Sequence, residues 1–118
     1  MEGWVAILDD QARVAAGLAR LVRTHFGLPA VITTTPEDLR RLLAHRSSPK
    51  AVIIDEDLGD VRGTAVLNEL ELTCPCAIWS GMDPEEVKRA VEEAELDIPV
   101  FEKDPASVLG WLDRILRR

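Results

Sequence analysis

The chain has 118 residues, 47% of them apolar and 30% charged, with a formal net charge of -7. That is enough chain for one domain core and too apolar a composition for a disordered tail, and no apolar run approaches the ~20 residues that span a bilayer. The acidic balance disfavours nonspecific nucleic-acid and anionic-membrane binding, and the opening MEGWVAILDD lacks the basic segment of a secretory signal. The sequence therefore reads as a cytoplasmic single domain, residues 1–118, whose partner is another protein.

Strands and helices alternate along the whole chain. Trp4 to Leu8 is a short β-rich run that stops at Asp9-Asp10. A helix follows, with Val14, Leu18, Leu21, Val22 and Phe26 on one stripe and Gly27 where a C-terminal glycine belongs. Ala30 to Thr33 is the second strand. After it, Thr35-Pro36-Glu37-Asp38 supplies a hydroxyl cap, a proline for the first helical position and acids for the first turn, ahead of Leu39, Leu42 and Leu43.

The third strand, AVII from Ala51, runs directly into Asp55, Glu56 and Asp57. Val66, Leu67 and Leu70 mark the next helix, and Cys76 to Trp79 the fourth strand. Asp83-Pro84-Glu85-Glu86 opens another helix, and Ile98 to about Glu102 makes the fifth strand. Asp104-Pro105 then opens the last helix, whose stripe is Val108, Leu112 and Ile115. Continuous apolar strands predict burial on both faces, hence an α/β fold: a five-stranded parallel sheet with helices on each side.

Parallel strands bring their C-terminal ends to one edge, where ligands of open α/β sheets bind. Asp9-Asp10, Asp55, Ser80 and Lys103 all fall at such ends. Taken singly, Asp10 could cap a helix, Ser80 could start a turn and Lys103 could be a solvated charge. Together they suit phosphoryl transfer to a carboxylate. Clustered acids repel one another unless a divalent cation sits among them, and hard oxygen ligands select Mg²⁺. Asp55, on the central strand, is the natural nucleophile, with a hydroxyl and an ammonium to hold the phosphoryl oxygens.

On these residues the whole chain resembles a response-regulator receiver domain of two-component signalling. The family's acidic pair matches Asp9 and Asp10, its phosphoacceptor Asp55, its helix-opening glycine Gly63, its Ser/Thr Ser80 and its lysine Lys103. The resemblance implies a doubly wound, flavodoxin-like fold with strand order 2-1-3-4-5. It implies Mg²⁺ held by Asp10, Asp55 and the backbone carbonyl of Asp57, with Asp9 helping through water. It also implies phosphorylation of Asp55 by a histidine kinase or phosphotransfer protein. Ser80 would then move inward, biasing the face of the fourth helix, fifth strand and fifth helix, where a downstream protein or a second copy would bind. With nothing after Arg118, the sequence resembles the stand-alone receivers.

Four positions depart from the family pattern. Asp104 stands between Lys103 and Pro105, where the family usually has proline directly after its lysine. Val100 occupies the place of the usual switch aromatic, with Phe101 facing the other side of the strand. Gly59 replaces a usual proline beside the phosphoacceptor loop, and Asp57 adds charge there; the resemblance implies that Asp57 and Met82 tune the lifetime of the phosphate.

Two alternatives accompany this reading. A pseudo-receiver would keep the fold as an interaction module without phosphorylation. A phosphohydrolase of the haloacid dehalogenase type would use Asp55-Glu56-Asp57 as its nucleophile and acid pair, but its acidic metal ligands should follow the lysine. Trp4 and Trp79 read as core fillers, whereas Trp111, one position off the last helix's stripe, would be a partner contact if exposed. Cys74 and Cys76 lack further ligands at zinc spacing and read as buried or half-buried thiols.

Overall fold

A computed structural model describes residues 3–117; Met1, Glu2 and Arg118, which the expected span 1–118 includes, lie outside the described residues. The elements follow as β1 Val5–Leu8, α1 Ala12–Phe26, β2 Ala30–Thr33, α2 Pro36–His45, β3 Ala51–Ile54, α3 Gly63–Leu70, β4 Cys76–Ser80, α4 Pro84–Glu93, β5 Val100–Glu102, a 3₁₀ turn Pro105–Val108 and α5 Leu109–Leu116. The five strands are all parallel, in the order β2-β1-β3-β4-β5, as expected.

The helix starts behave as their side chains dictate. Thr35 Oγ1 accepts from the Asp38 N–H at 3.1 Å, and the Asp83 and Asp104 carboxylates accept from Glu85 and Ala106 N–H, each ahead of a proline. Gly27 ends α1 in the left-handed region, φ 67, and its N–H closes onto the Arg23 carbonyl.

Every residue of the central strands β1 and β3 is buried. Alternate side chains feed two layers: Val5, Ile7, Ile53 and Trp79 pack with Leu18, Val22 and Leu112 of α1 and α5, while Ala6, Leu8, Val52 and Ile54 pack with Leu39, Val66, Leu67 and Val87 of α2, α3 and α4. Emptying one such position, as in Ile53→Ala, removes about 2–5 kcal/mol.

Three sequence expectations need correction. β5 begins at Val100 rather than Ile98, because Pro99 has no N–H to give the ladder, although its carbonyl accepts from Ile78 N–H at 3.0 Å. The buried stripe of α1 is Ala15, Leu18, Ala19 and Val22, and Val14 is 36% exposed. Trp111 is buried, its ring centroid 5.9 Å from that of Phe101. Positions 108, 111, 112 and 115 make the i, i+3, i+4, i+7 face, so the indole belongs to the core and is not an exposed partner contact.

Candidate functional site

The sheet register assembles the site. Leu8 pairs with Ile54, and the Asp55 N–H donates to the Leu8 carbonyl at 2.9 Å, so Asp9 and Asp55 leave adjacent strands side by side. Ser80 pairs with Glu102, which puts Lys103 one residue beyond the level of Ser80. A hollow of about 260 Å³ at this edge is lined by Asp10, Gln11, Asp55, Asp57, Ser80, Gly81, Met82 and Lys103.

Ligand oxygens of Asp9, Asp10 and Asp55 lie within 4.8 Å of one another. Asp9 is fully buried and Asp10 exposed. One oxygen of Asp9, Oδ1, accepts from the Gln11 N–H at 2.9 Å. The other, Oδ2, is buried and forms an ion pair with Lys103 Nζ at 2.5 Å, with no aligned hydrogen-bond donor among the described residues. Lys103 Nζ does make an aligned bond to Asp55 Oδ2, at 2.7 Å. The lysine thus reaches the acids even with Asp104 after it, and no cis peptide bond occurs among the described residues.

Burial pushes the Asp55 carboxyl above the usual carboxylate range; the Lys103 ammonium and the Asp57 N–H oppose that rise, and the neighbouring Asp9 charge adds to it. Three clustered carboxylates beside a hollow open to solvent could hold a hard divalent cation such as Mg²⁺.

Asp57 stands apart from the clustered carboxylates. Its N–H points at Asp55 Oδ1 at 3.2 Å, and its own carboxylate turns away to accept from Gly59 N–H at 3.1 Å. That arrangement is compatible with a role for its backbone carbonyl alone. Ser80 is buried, and its Oγ accepts from the Met82 N–H at 3.1 Å. Gly63 packs so tightly that a Cβ there would lie 2.2 Å from the Asp55 carbonyl oxygen.

Three residues escaped sequence reasoning. Glu56 is fully buried, and its carboxylate accepts from Thr64 N–H at 2.8 Å and from Thr64 Oγ1–H at 3.0 Å, capping α3 from inside the loop. The adjacent Gly63 N–H donates to the Glu56 carbonyl at 2.9 Å, so the segment bearing Asp55 is fastened to the start of α3. Arg62 Nη1 lies 3.0 Å from Met82 Sδ, linking that helix start to the loop after β4. Trp79 touches the Lys103 segment twice, as described below. Nothing in the sequence marked these contacts beyond an acid and a threonine eight positions apart.

A wider cavity, about 400 Å³, opens at the opposite edge of the sheet beside Cys74 and Cys76, away from every strand-end acid. Both thiols are free and half-buried.

No family model matches the sequence, and no curated protein matches it. Solved structures do. The receiver domain, described as CheY-like, from Methylobacillus flagellatus superposes with a TM-score of 0.79 at 24% identity, over 98% of this chain and 99% of its own. A response regulator receiver protein from Burkholderia phymatum gives 0.81 at 21%, over 98% and 96%. The chain has the receiver-domain fold. A third receiver structure, the BeF3-activated receiver domain of DrrB, covers all of both chains at a TM-score of 0.81 and 20% identity. Receiver architecture thus holds from β1 to α5. None of the described helices is long and apolar enough to cross a membrane.

Proposed function

We propose that the protein is a phosphoryl-accepting signalling switch, phosphorylated on Asp55 with Mg²⁺ and read out by protein partners. The observation that carries this proposal is the meeting of Lys103 Nζ with both Asp55 and Asp9, beside Asp10, from three separate strand ends. In this mechanism a carboxylate oxygen of Asp55 attacks phosphorus in line, and an acyl phosphate bond forms as the donor's P–N or P–O bond breaks. A phosphohistidine donor leaves as imidazole, and acetyl phosphate leaves as acetate.

Asp55 must be ionised to attack, and the Lys103 ammonium favours that form against burial. Asp10, Asp55 and the Asp57 carbonyl would hold Mg²⁺, with Asp9 assisting through water; when bound, the ion neutralises the charge of the phosphoryl oxygens. Lys103 pairs with one phosphoryl oxygen. Ser80 receives the Met82 N–H on its oxygen and keeps its own proton for another. Pulling Ser80 inward draws on the loop that leads into α4, so the face of α4, β5 and α5 carries the state to a target protein or a second copy. The span 1–118 acts as one receiver unit, fed by a histidine kinase or phosphotransfer protein.

The test is incubation with acetyl phosphate and Mg²⁺, following both incorporated and released phosphate, beside Asp55→Asn. Uptake of about one phosphoryl group per chain, lost in the variant, supports the switch. Many turnovers would indicate a phosphohydrolase, and an unlabelled chain a pseudo-receiver.

A further inference from the structure

Among the described residues Lys103 is the lone cation touching the clustered acids, yet it sits on a short segment between a three-residue strand and a 3₁₀ turn. Something must hold that segment in place. Trp79, the penultimate residue of β4 and fully buried, meets it at two points. Its indole Nε1–H donates to the backbone carbonyl of Asp104 at 3.1 Å, and its ring face lies 4.8 Å from Lys103 Nζ.

These contacts differ in kind. The hydrogen bond fixes the backbone one residue beyond Lys103, and Ser107 Oγ, at 2.7 Å from the same carbonyl, completes the anchor. The ring face presents negative quadrupole density to the ammonium and no hydrogen-bond acceptor that would compete with the acids. The lysine is therefore bounded by an indole on one side and by Asp9 and Asp55 on another. It is only 17% exposed, so water competes weakly.

We propose that Trp79 is the positioning residue for Lys103: the indole N–H pins the Asp104 carbonyl while the ring face holds the ammonium aimed at Asp55. This deepens the phosphoacceptor proposal and rests on it. Trp79 itself touches no reacting atom. Its role is to shorten the search of a flexible side chain for the geometry in which a phosphoryl oxygen can be met.

Two measurements test it. The first is NMR of the intact protein: the Trp79 indole N–H resonance, identified by its loss in Trp79→Phe, should shift on Lys103→Met and exchange slowly with solvent. A resonance indifferent to Lys103→Met would overturn the placement.

The second is the rate of phosphoryl uptake from acetyl phosphate at saturating Mg²⁺. Trp79→Phe keeps a ring and loses the N–H, and should slow uptake about fivefold; Trp79→Leu loses both and should slow it more than tenfold, with Mg²⁺ affinity unchanged in each. Parent-like uptake in both variants would overturn the proposal. So would a fall in Mg²⁺ affinity that matches the fall in rate, which marks general loosening of the core. An unlabelled parent whose Trp79 resonance responds to Lys103→Met would instead remove the phosphoacceptor proposal and support the positioning.

Discussion

Lys103 Nζ stands 2.7 Å from Asp55 Oδ2 and 2.5 Å from Asp9 Oδ2, so one ammonium from the end of β5 serves carboxylates from two other strands. Its removal leaves Asp9 and Asp55 buried without a counter-ion among the described residues. Lys103→Met should lower stability by about 1–3 kcal/mol, below the usual figure for a fully buried pair because the lysine is partly solvated. Millimolar Mg²⁺ should restore more stability to the variant than it adds to the parent, which thermal unfolding with and without the ion will show.

Asp55 itself opposes folding at neutral pH. Its folded pKa lies above the ordinary value of 3.8, chiefly through burial, so the native state binds the proton more tightly than the unfolded chain. Stability therefore falls as pH rises from the unfolded value through the folded one, and the loss persists above it. Asp55→Asn should raise Tm at neutral pH. The difference should shrink in acid. A variant less stable than the parent at pH 7 would contradict the assignment of burial as the dominant cause.

Glu56 and Thr64 form a buried pair that ties the Asp55 loop to α3. Glu56→Ala strands the Thr64 N–H and hydroxyl away from water and should lose about 2–4 kcal/mol. Thr64→Val should lose less, and the double variant should cost clearly less than the sum of the two, as a shared contact requires. Additive losses in chemical denaturation would mean that the two side chains do not act as a pair.

The strand ends were legible because a parallel sheet converts sequence position into a place in space: wherever an apolar run stopped, the next polar residue had to lie at one edge. Asp9, Asp10, Asp55, Ser80 and Lys103 were found that way. Proline-marked helix starts were legible for a local reason, since each cap involves residues two or three apart. What stayed hidden depends on distant partners. The Trp79 bond to Asp104 spans 25 positions, and burial of Glu56 depends on a threonine eight residues on, in a different element. A stripe drawn from aliphatic residues alone leaves the burial of Trp111 open, although position 111 completes that face.

Cys74 and Cys76 should react unequally. The neighbouring Cys76 thiol favours the Cys74 thiolate and lowers its pKa to about 7, while the same interaction and burial push Cys76 up. Iodoacetamide at neutral pH should alkylate Cys74 first, with a rate that rises through a midpoint near 7, as peptide mass spectrometry will resolve. Equal labelling of the two would show that the thiols do not share a proton.

Chemical trapping reveals which side chain accepts the phosphoryl group. After exposure to acetyl phosphate and Mg²⁺, borohydride reduction converts an aspartyl phosphate to homoserine, which peptide sequencing by mass spectrometry locates. Homoserine at position 55, absent without Mg²⁺, is the predicted result. Phosphate found on a histidine or at another carboxylate, with Asp55 intact, would contradict it.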